Sequence, residues 1–416
     1  MQVTQVYEIV NTMSDEFLGE ESIVKEDLSN VIDIGKSIFD ATSVDNYVKK
    51  LLDVIGRMVF VNEIYRSKMP DILMDSWEYG SCVEKISANL KEAEINESWS
   101  LTDGETYNQD IFYQPSINVT FFNHKVTFEI PCSFAESQVK ESFNSATQLN
   151  SFFSMIQTMI ENSMTLKLDA LIMRTINNMI GQTLLADAAS FTPEGGTLDY
   201  GTASTLRAVN LLYLYNQMYD TELTAAACLT EPEFIKFTAY IMSLYEDRLT
   251  RMSTKFNISG LERFVEKENM RTVVLSELAS AHKIYLQSDV YHDGLVQLPD
   301  NYTTVPFWQG NGGDYTFAND SKIHIEVADT DPESLTGKAE VEIDGVLGVM
   351  FSKYACGVNQ FNRRTTTHYN SKGEFFTNWA KTDANYFNAL DENFVVFFVA
   401  DAPADASPAE EVVAGQ

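Results

Sequence analysis

At 416 residues with 44% hydrophobic content, the chain can bury one large core or two to three smaller ones. Its formal charge of −31, from 60 acidic against 29 basic residues, argues against a nucleic-acid-binding surface, whose affinity comes from Lys and Arg neutralising phosphates. No run approaches the roughly 18 apolar residues of a membrane-spanning helix, and Met1-Gln2-Val3-Thr4-Gln5 lacks the basic and apolar regions of a secretory signal, so the chain is expected to act where it is made.

The first 45 residues are polar and acidic, and they lead into a short helical piece, 43–58. There Val44, Tyr47, Val48, Leu51, Leu52 and Ile55 recur at helical spacing. Residues 1–63 together read as an N-terminal arm. Over 64–120 short β-prone runs alternate with charged stretches: Cys82–Ile86, the acidic 91–96, Ile111–Tyr113 and Ile117–Phe122. Little in this segment builds a core of its own. It reads as a two-stranded excursion, marginal alone, that must lie against something else, with another subunit as the candidate.

Val126, Phe128 and Ile130 then alternate with polar residues as a half-buried strand does, and Pro131 is expected to end that ladder. Ser145-Ala146-Thr147-Gln148 is a capping-box pattern. It opens a run of apolar residues in three- and four-residue steps from Leu149 to Ile180, with Gly181 as the expected C-cap. At ~1.5 Å per residue this helix would be about 50 Å long, a spine for the molecule. Phe152, Ile156, Met159 and Ile160 are expected to share its buried face.

Beyond the loop 191–201 the pattern becomes mixed. Ala203–Met218 predicts a helix with Leu206, Val209, Leu212 and Tyr213 inward, and Thr230-Glu231-Pro232-Glu233 is a second capping box opening a helix to about Leu249. Strands are expected at Thr272–Leu275, Ile284–Leu286, Ile323–Val327 and Val341–Ile343. Asp344-Gly345 reads as a hairpin turn and Asn311–Asp314 as a loop tip. Phe394–Ala400 is fully apolar and of strand length, so it belongs inside a sheet. Residues 401–416 are low in complexity and are expected to be disordered.

No constellation of catalytic residues emerges, so no enzyme, cofactor or metal is expected. Cys82, Cys132, Cys228 and Cys356 form no CxxC pair and read as free thiols of a reducing cytoplasm. His124, His282, His292, His324 and His368 never fall at i, i+4 or in an HExxH frame. Asp329, Asp331, Glu333 and Glu340 have the spacing of calcium-loop ligands, but Ser334 replaces the turn glycine and Pro332 stiffens the loop. A solvated acidic turn is the preferred reading, over calcium or a paired-carboxylate glycosidase. Arg363-Arg364 is too little for a phosphate patch. Lys68, Lys85 and Lys91 in the excursion read as surface lysines that form no covalent crosslink.

The order of parts resembles the HK97-type fold of tailed-phage major capsid proteins, and is most similar to the phi29-like podovirus members. The stretches that carry the likeness are Tyr47–Val59, Phe121-Phe122-Asn123-His124 and Tyr369–Val399. The resemblance implies an α+β fold: arm 1–63, E-loop 64–120, a P-domain at 121–200 with the spine helix, an A-domain at 201–377, a return strand to the P-domain at 378–400, and a tail. It implies a shell subunit that forms hexamers and pentamers around double-stranded DNA in a virion assembled in the host cytoplasm. A separate scaffolding protein and a portal are implied as partners, and no membrane. The acidic surplus then reads either as plain solubility or as a lumen that repels packed DNA. The alternatives are an encapsulin-like cargo compartment and, from another class, a carbohydrate-active or carbohydrate-binding protein.

Overall fold

The computed structural model describes residues 11, 71–74, 83–88, 90–91, 93–107, 110–135, 137, 146–187, 190–192, 197–199, 204–289, 298–299, 302–308, 322–328 and 338–401. The rest of the arm, Lys68, Cys82, His292, the turn 311–314, the acidic residues 329–333 and the tail beyond 401 lie outside them. In chain order the strands are β1 (Leu73–Met74), β2 (Val83–Ala88), β3 (Ile117–Phe122), β4 (His124–Ala135), β5 (Ser190–Thr192), β6 (Thr197–Asp199), β7 (Ala208–Asn210) and β8 (Met270–Leu275). They continue with β9 (Tyr302–Val305), β10 (Ile323–Ala328), β11 (Lys338–Ile343), β12 (Val346–Ser352), β13 (Cys356–Asn370), β14 (Phe375–Asn388) and β15 (Phe394–Phe398). The helices are α1 (Ala146–Asp187), α2 (Leu211–Tyr219), α3 (Pro232–Leu249) and α4 (Ser276–Asp289).

Helix α1 organises the rest. Its 42 residues span roughly 63 Å at 1.5 Å per residue, and its two halves differ. The N-terminal half is amphipathic: Ile156, Ile160, Met164 and Leu168 are buried, whereas Met159, expected among them, is 38% exposed. From Leu171 onward the buried face widens to all but a narrow stripe at Arg174, Asn178, Gln182 and Ala186, and it takes in Thr175 and Thr183, whose hydroxyls donate to the Leu171 and Met179 carbonyls and so stay satisfied without water. Gly181 is not the C-cap. It lies inside the helix where β10 crosses, and a Cβ there would come within 1.8 Å of Ile325 Cδ1, so the missing side chain admits the strand.

Two main sheets flank this helix. One has the order β1-β13-β14-β4, with β13, β14 and β4 antiparallel and β1 parallel to β13. Pro131 does not end β4. The strand runs on to Ala135, with Cys132 and Phe134 buried, because β4 is the sheet's edge and a missing N–H on an edge strand breaks no ladder bond.

The other sheet has the order β7-β15-β12-β8-β9. Strand β15 is interior to it, between β7 and β12: Phe394, Val396 and Phe398 join the α1 core, and Val395 and Phe397 join a second core with α2, α3 and α4. Burial on both faces is why this run is continuously apolar. The two sheets interleave along the chain. Strand β13, within the stretch expected as one unit at 201–377, pairs with β14, and β15 leaves β14 for the other sheet.

Several local expectations give way to tertiary pairing. Ala203–Met218 is not one helix: Ala208–Asn210 pairs in parallel with β15, and the Asn210 side chain then caps α2 by accepting from the Tyr213 N–H at 3.2 Å. Pro232 takes the first turn of α3 as expected, but the N-cap is Glu231 and the Thr230 hydroxyl donates to the Ala227 carbonyl instead. Ile284–Leu286 is helical, within α4, whose Leu278 and Ala279 pack inward while Ile284 faces outward. Asp344-Gly345 is a turn with Gly345 at φ +72°, yet β11 and β12 on either side of it belong to different sheets. A Cβ on Gly345 would lie 2.2 Å from the Val399 carbonyl oxygen.

Candidate assembly interface

The excursion is a real hairpin, β2 antiparallel to β3, with Val83 opposite Phe122 and Ala88 opposite Ile117. No strand forms at Ile111–Tyr113. Cross-strand partners share a face, so Ile86 with Val119, Ala88 with Ile117 and Glu84 with Phe121 lie on one side, and Lys85 with Thr120 and Ser87 with Asn118 lie on the other. The apolar side is the exposed one: Ile86 is 66%, Ile117 60% and Phe121 64% exposed, whereas Lys85, Ser87, Asn118 and Thr120 are half-buried. This inverts the usual polarity of a surface ribbon. The connecting loop continues the pattern with Ile95, Trp99 and Phe112 almost fully exposed. Contiguous apolar surface beyond a few hundred Å² is rare on monomeric proteins and marks a site of association.

The polar side of the hairpin is tied to the body. Lys85 Nζ lies 2.8 Å from Asp391 Oδ1 and 2.8 Å from Glu392 Oε1, in the turn between β14 and β15. Arg263 reaches the same two acids from the 253–263 loop, at 3.3 and 3.7 Å. Burial acts to raise the Asp391 carboxyl, but Lys85 and then Arg263 outweigh it and hold the group below its usual range. Lys85 is thus a largely buried ion-pair partner and not a solvated surface lysine. Lys91 stands over the Tyr113 ring, 3.6 Å from its centroid. At the root, Phe122 packs on Phe387 and His124 stacks on Tyr386.

Of the arginine pair, Arg364 meets Asp383, whose side chain is almost wholly buried in β14. Asn362, at φ +52° in a bulge of β13, and Thr127 of β4 complete the cage, with Lys125 at 3.4 Å. Burial acts to raise the Asp383 carboxyl, yet hydrogen bonds from Arg364, Thr127 and Asn362 hold it far below the ordinary carboxylate range.

The remaining sequence candidates are scattered. His282 is on α4, its pKa lowered by burial and by Lys283. His324 is on β10 with its Nδ1 3.9 Å from Glu342, and His368 is opposite Thr377 on β13. Glu340 of β11 faces Glu326. Among the described residues no three His, Cys, Asp or Glu side chains are grouped to hold a metal, and no helix is long and apolar enough to cross a membrane. Cys132, Cys228 and Cys356 are free and buried, and burial pushes the first two thiols up to about 11. The inverted hairpin was not visible in the sequence. Ile117, Val119 and Phe121 alternate with polar residues whichever face is covered.

An α+β body built on a long buried helix, carrying a hairpin whose outer face is apolar, defines a structural subunit made to associate. Residues 6–398 match the family model described as Phi29-like phage major capsid protein. The chain belongs to that family, and with it to the α+β, HK97-type capsid fold expected from the order of its segments; it is a phage head-shell protein and a component of the virion. A comparison with curated proteins finds no match. Among solved structures the chain is similar to the capsid of Staphylococcus phage Andhra, at 10% identity over 82% of this chain and 87% of that one, TM-score 0.46. It is also similar to a chain of the bacteriophage P68 head fiber and inner core structure (8% identity, 79% and 83%, TM-score 0.44) and to the capsid of Cyanophage P-SCSP1u (11%, 82% and 92%, TM-score 0.41).

Proposed function

We propose that the chain closes the shell as hexamers and pentamers, with the apolar face of the β2–β3 hairpin laid on a neighbouring copy. The single observation that supports this is the inverted ribbon, with Ile86, Ile117, Val119 and Phe121 outward and Lys85 and Thr120 inward. In this reading the hairpin and its loop are the E-loop. The P-domain is α1 with the β1-β13-β14-β4 sheet, and the A-domain is the five-stranded sheet with α2, α3 and α4. The work is assembly and not catalysis. It takes place in the host cytoplasm with a separate scaffolding protein and a portal, and it encloses DNA without specific binding. The acidic surplus suits a wall that lets packed DNA slide.

Replacing Ile117, Val119 and Phe121 with Thr, Thr and Ser tests the reading, because these side chains contribute little to the subunit's own core. The triple variant is expected to melt as the wild type does and to form no shells when co-expressed with its phage's assembly proteins. Normal shells from this variant would remove the hairpin face from the interface.

A further inference from the structure

We infer that the Lys85–Asp391–Glu392–Arg263 cluster is a clasp that sets the angle at which the hairpin leaves the body of a single subunit. The four side chains are only 10–17% exposed and balance two positive charges against two negative ones. Three of them belong to the body: Asp391 and Glu392 close the β14–β15 turn, and Arg263 lies in a loop held to that turn through the Ile258 and Ser259 N–H groups on the Leu390 carbonyl. Lys85 alone comes from the hairpin, and it reaches across from the middle of β2.

The chain at the root permits movement. Strand β3 pairs only with β2, and β4 pairs with β14, and Asn123 between them carries no strand pairing. A rotation there breaks neither ladder. Rotation about Asn123 would slide Phe122 off Phe387 and pull Lys85 away from Asp391 and Glu392, so the ion pairs, together with that one ring contact at the root, hold the hairpin at its angle. Buried pairs are screened by salt far less than surface ones, so the link persists in ordinary buffers. This inference concerns the isolated subunit and holds whether or not the hairpin docks on a second copy.

The test uses the full chain in dilute, unassembled form, with spin labels on non-natural residues at the exposed positions Ser98 in the hairpin loop and Ser243 on α3. Wild type and Lys85→Arg are expected to give one narrow distance. Lys85→Met is expected to lose it for a broad distribution. Because Lys85→Met leaves two buried acids on one arginine, so that loss of folding would give the same broadening, the charge-balanced Lys85→Met/Asp391→Asn variant decides. It is expected to melt like wild type and to show the same broadening. A narrow wild-type distance in the double variant would overturn the proposal. So would failure of the double variant to fold, which would make the cluster a support of the body and not a clasp on the hairpin.

Discussion

Ile176 sits in the enclosed half of α1 with no exposed surface, in the core shared by the helix, Val358 of β13 and Val396 of β15. Truncating it to Ala removes three carbons, about 2.4 kcal/mol at ~0.8 kcal/mol per buried methylene. A helix held between two sheets cannot close the resulting space, so a cavity penalty adds and the total falls in the upper part of the roughly 2–5 kcal/mol range for such changes. Leu166, on the same helix but 43% exposed, is the matched control and should cost about 1 kcal/mol or less when changed to Ala. Urea unfolding of the dilute subunit, read as a shift of midpoint at constant slope, measures both. Ile156→Ala, on the narrower N-terminal stripe, is expected to fall between them. Equal midpoints for Ile176→Ala and Leu166→Ala would refute the claim that the second half of α1 is a core element buried on most of its circumference.

Three further outcomes are expected. Asp383 has a folded pKa held below its unfolded value of ~3.9, so its contribution is complete above that value and is lost as pH falls below it. Asp383→Asn should therefore lower stability at pH 7 and flatten the loss on acidification below about pH 4, and an unchanged acid profile would count against the Arg364 cage. Gly345→Ala, at positive φ and against the Val399 carbonyl, should cost on the order of 1–3 kcal/mol in thermal or urea melts, since an L side chain there is both strained and crowded. Mature particles on denaturing gels should run at the single-chain mass, because Lys85 is engaged by Asp391 and Glu392 and Lys91 by Tyr113; a ladder of higher masses would contradict this.

The elements that periodicity alone dictates were legible in the sequence: α1 from its three- and four-residue steps, β4 from its alternation, β15 from its unbroken apolar run. What was misread depends on partners distant in the chain. Gly181 looks like a helix stop until β10 crosses it. Ala208–Asn210 looks helical until β15 pairs with it, and Pro131 looks terminal unless β4 is known to be an edge. Short apolar runs such as Ile284–Leu286 carry too few residues to choose between periods, and there the packing of Leu278 and Ala279 decides. The same holds for the candidate interface. The excursion could be recognised as lacking a core, but which face it turns outward depends on Lys85 finding two acids, the nearer in sequence 306 residues away.

The central claim is that this chain assembles with copies of itself through the hairpin. Electron microscopy of the expressed chain, alone and with its phage's assembly proteins, tests it most directly. The expected result is closed, uniform shells in which each hairpin's apolar face lies on the adjacent subunit; monomers under every condition, or shells whose hairpins fold back on their own bodies, would contradict it.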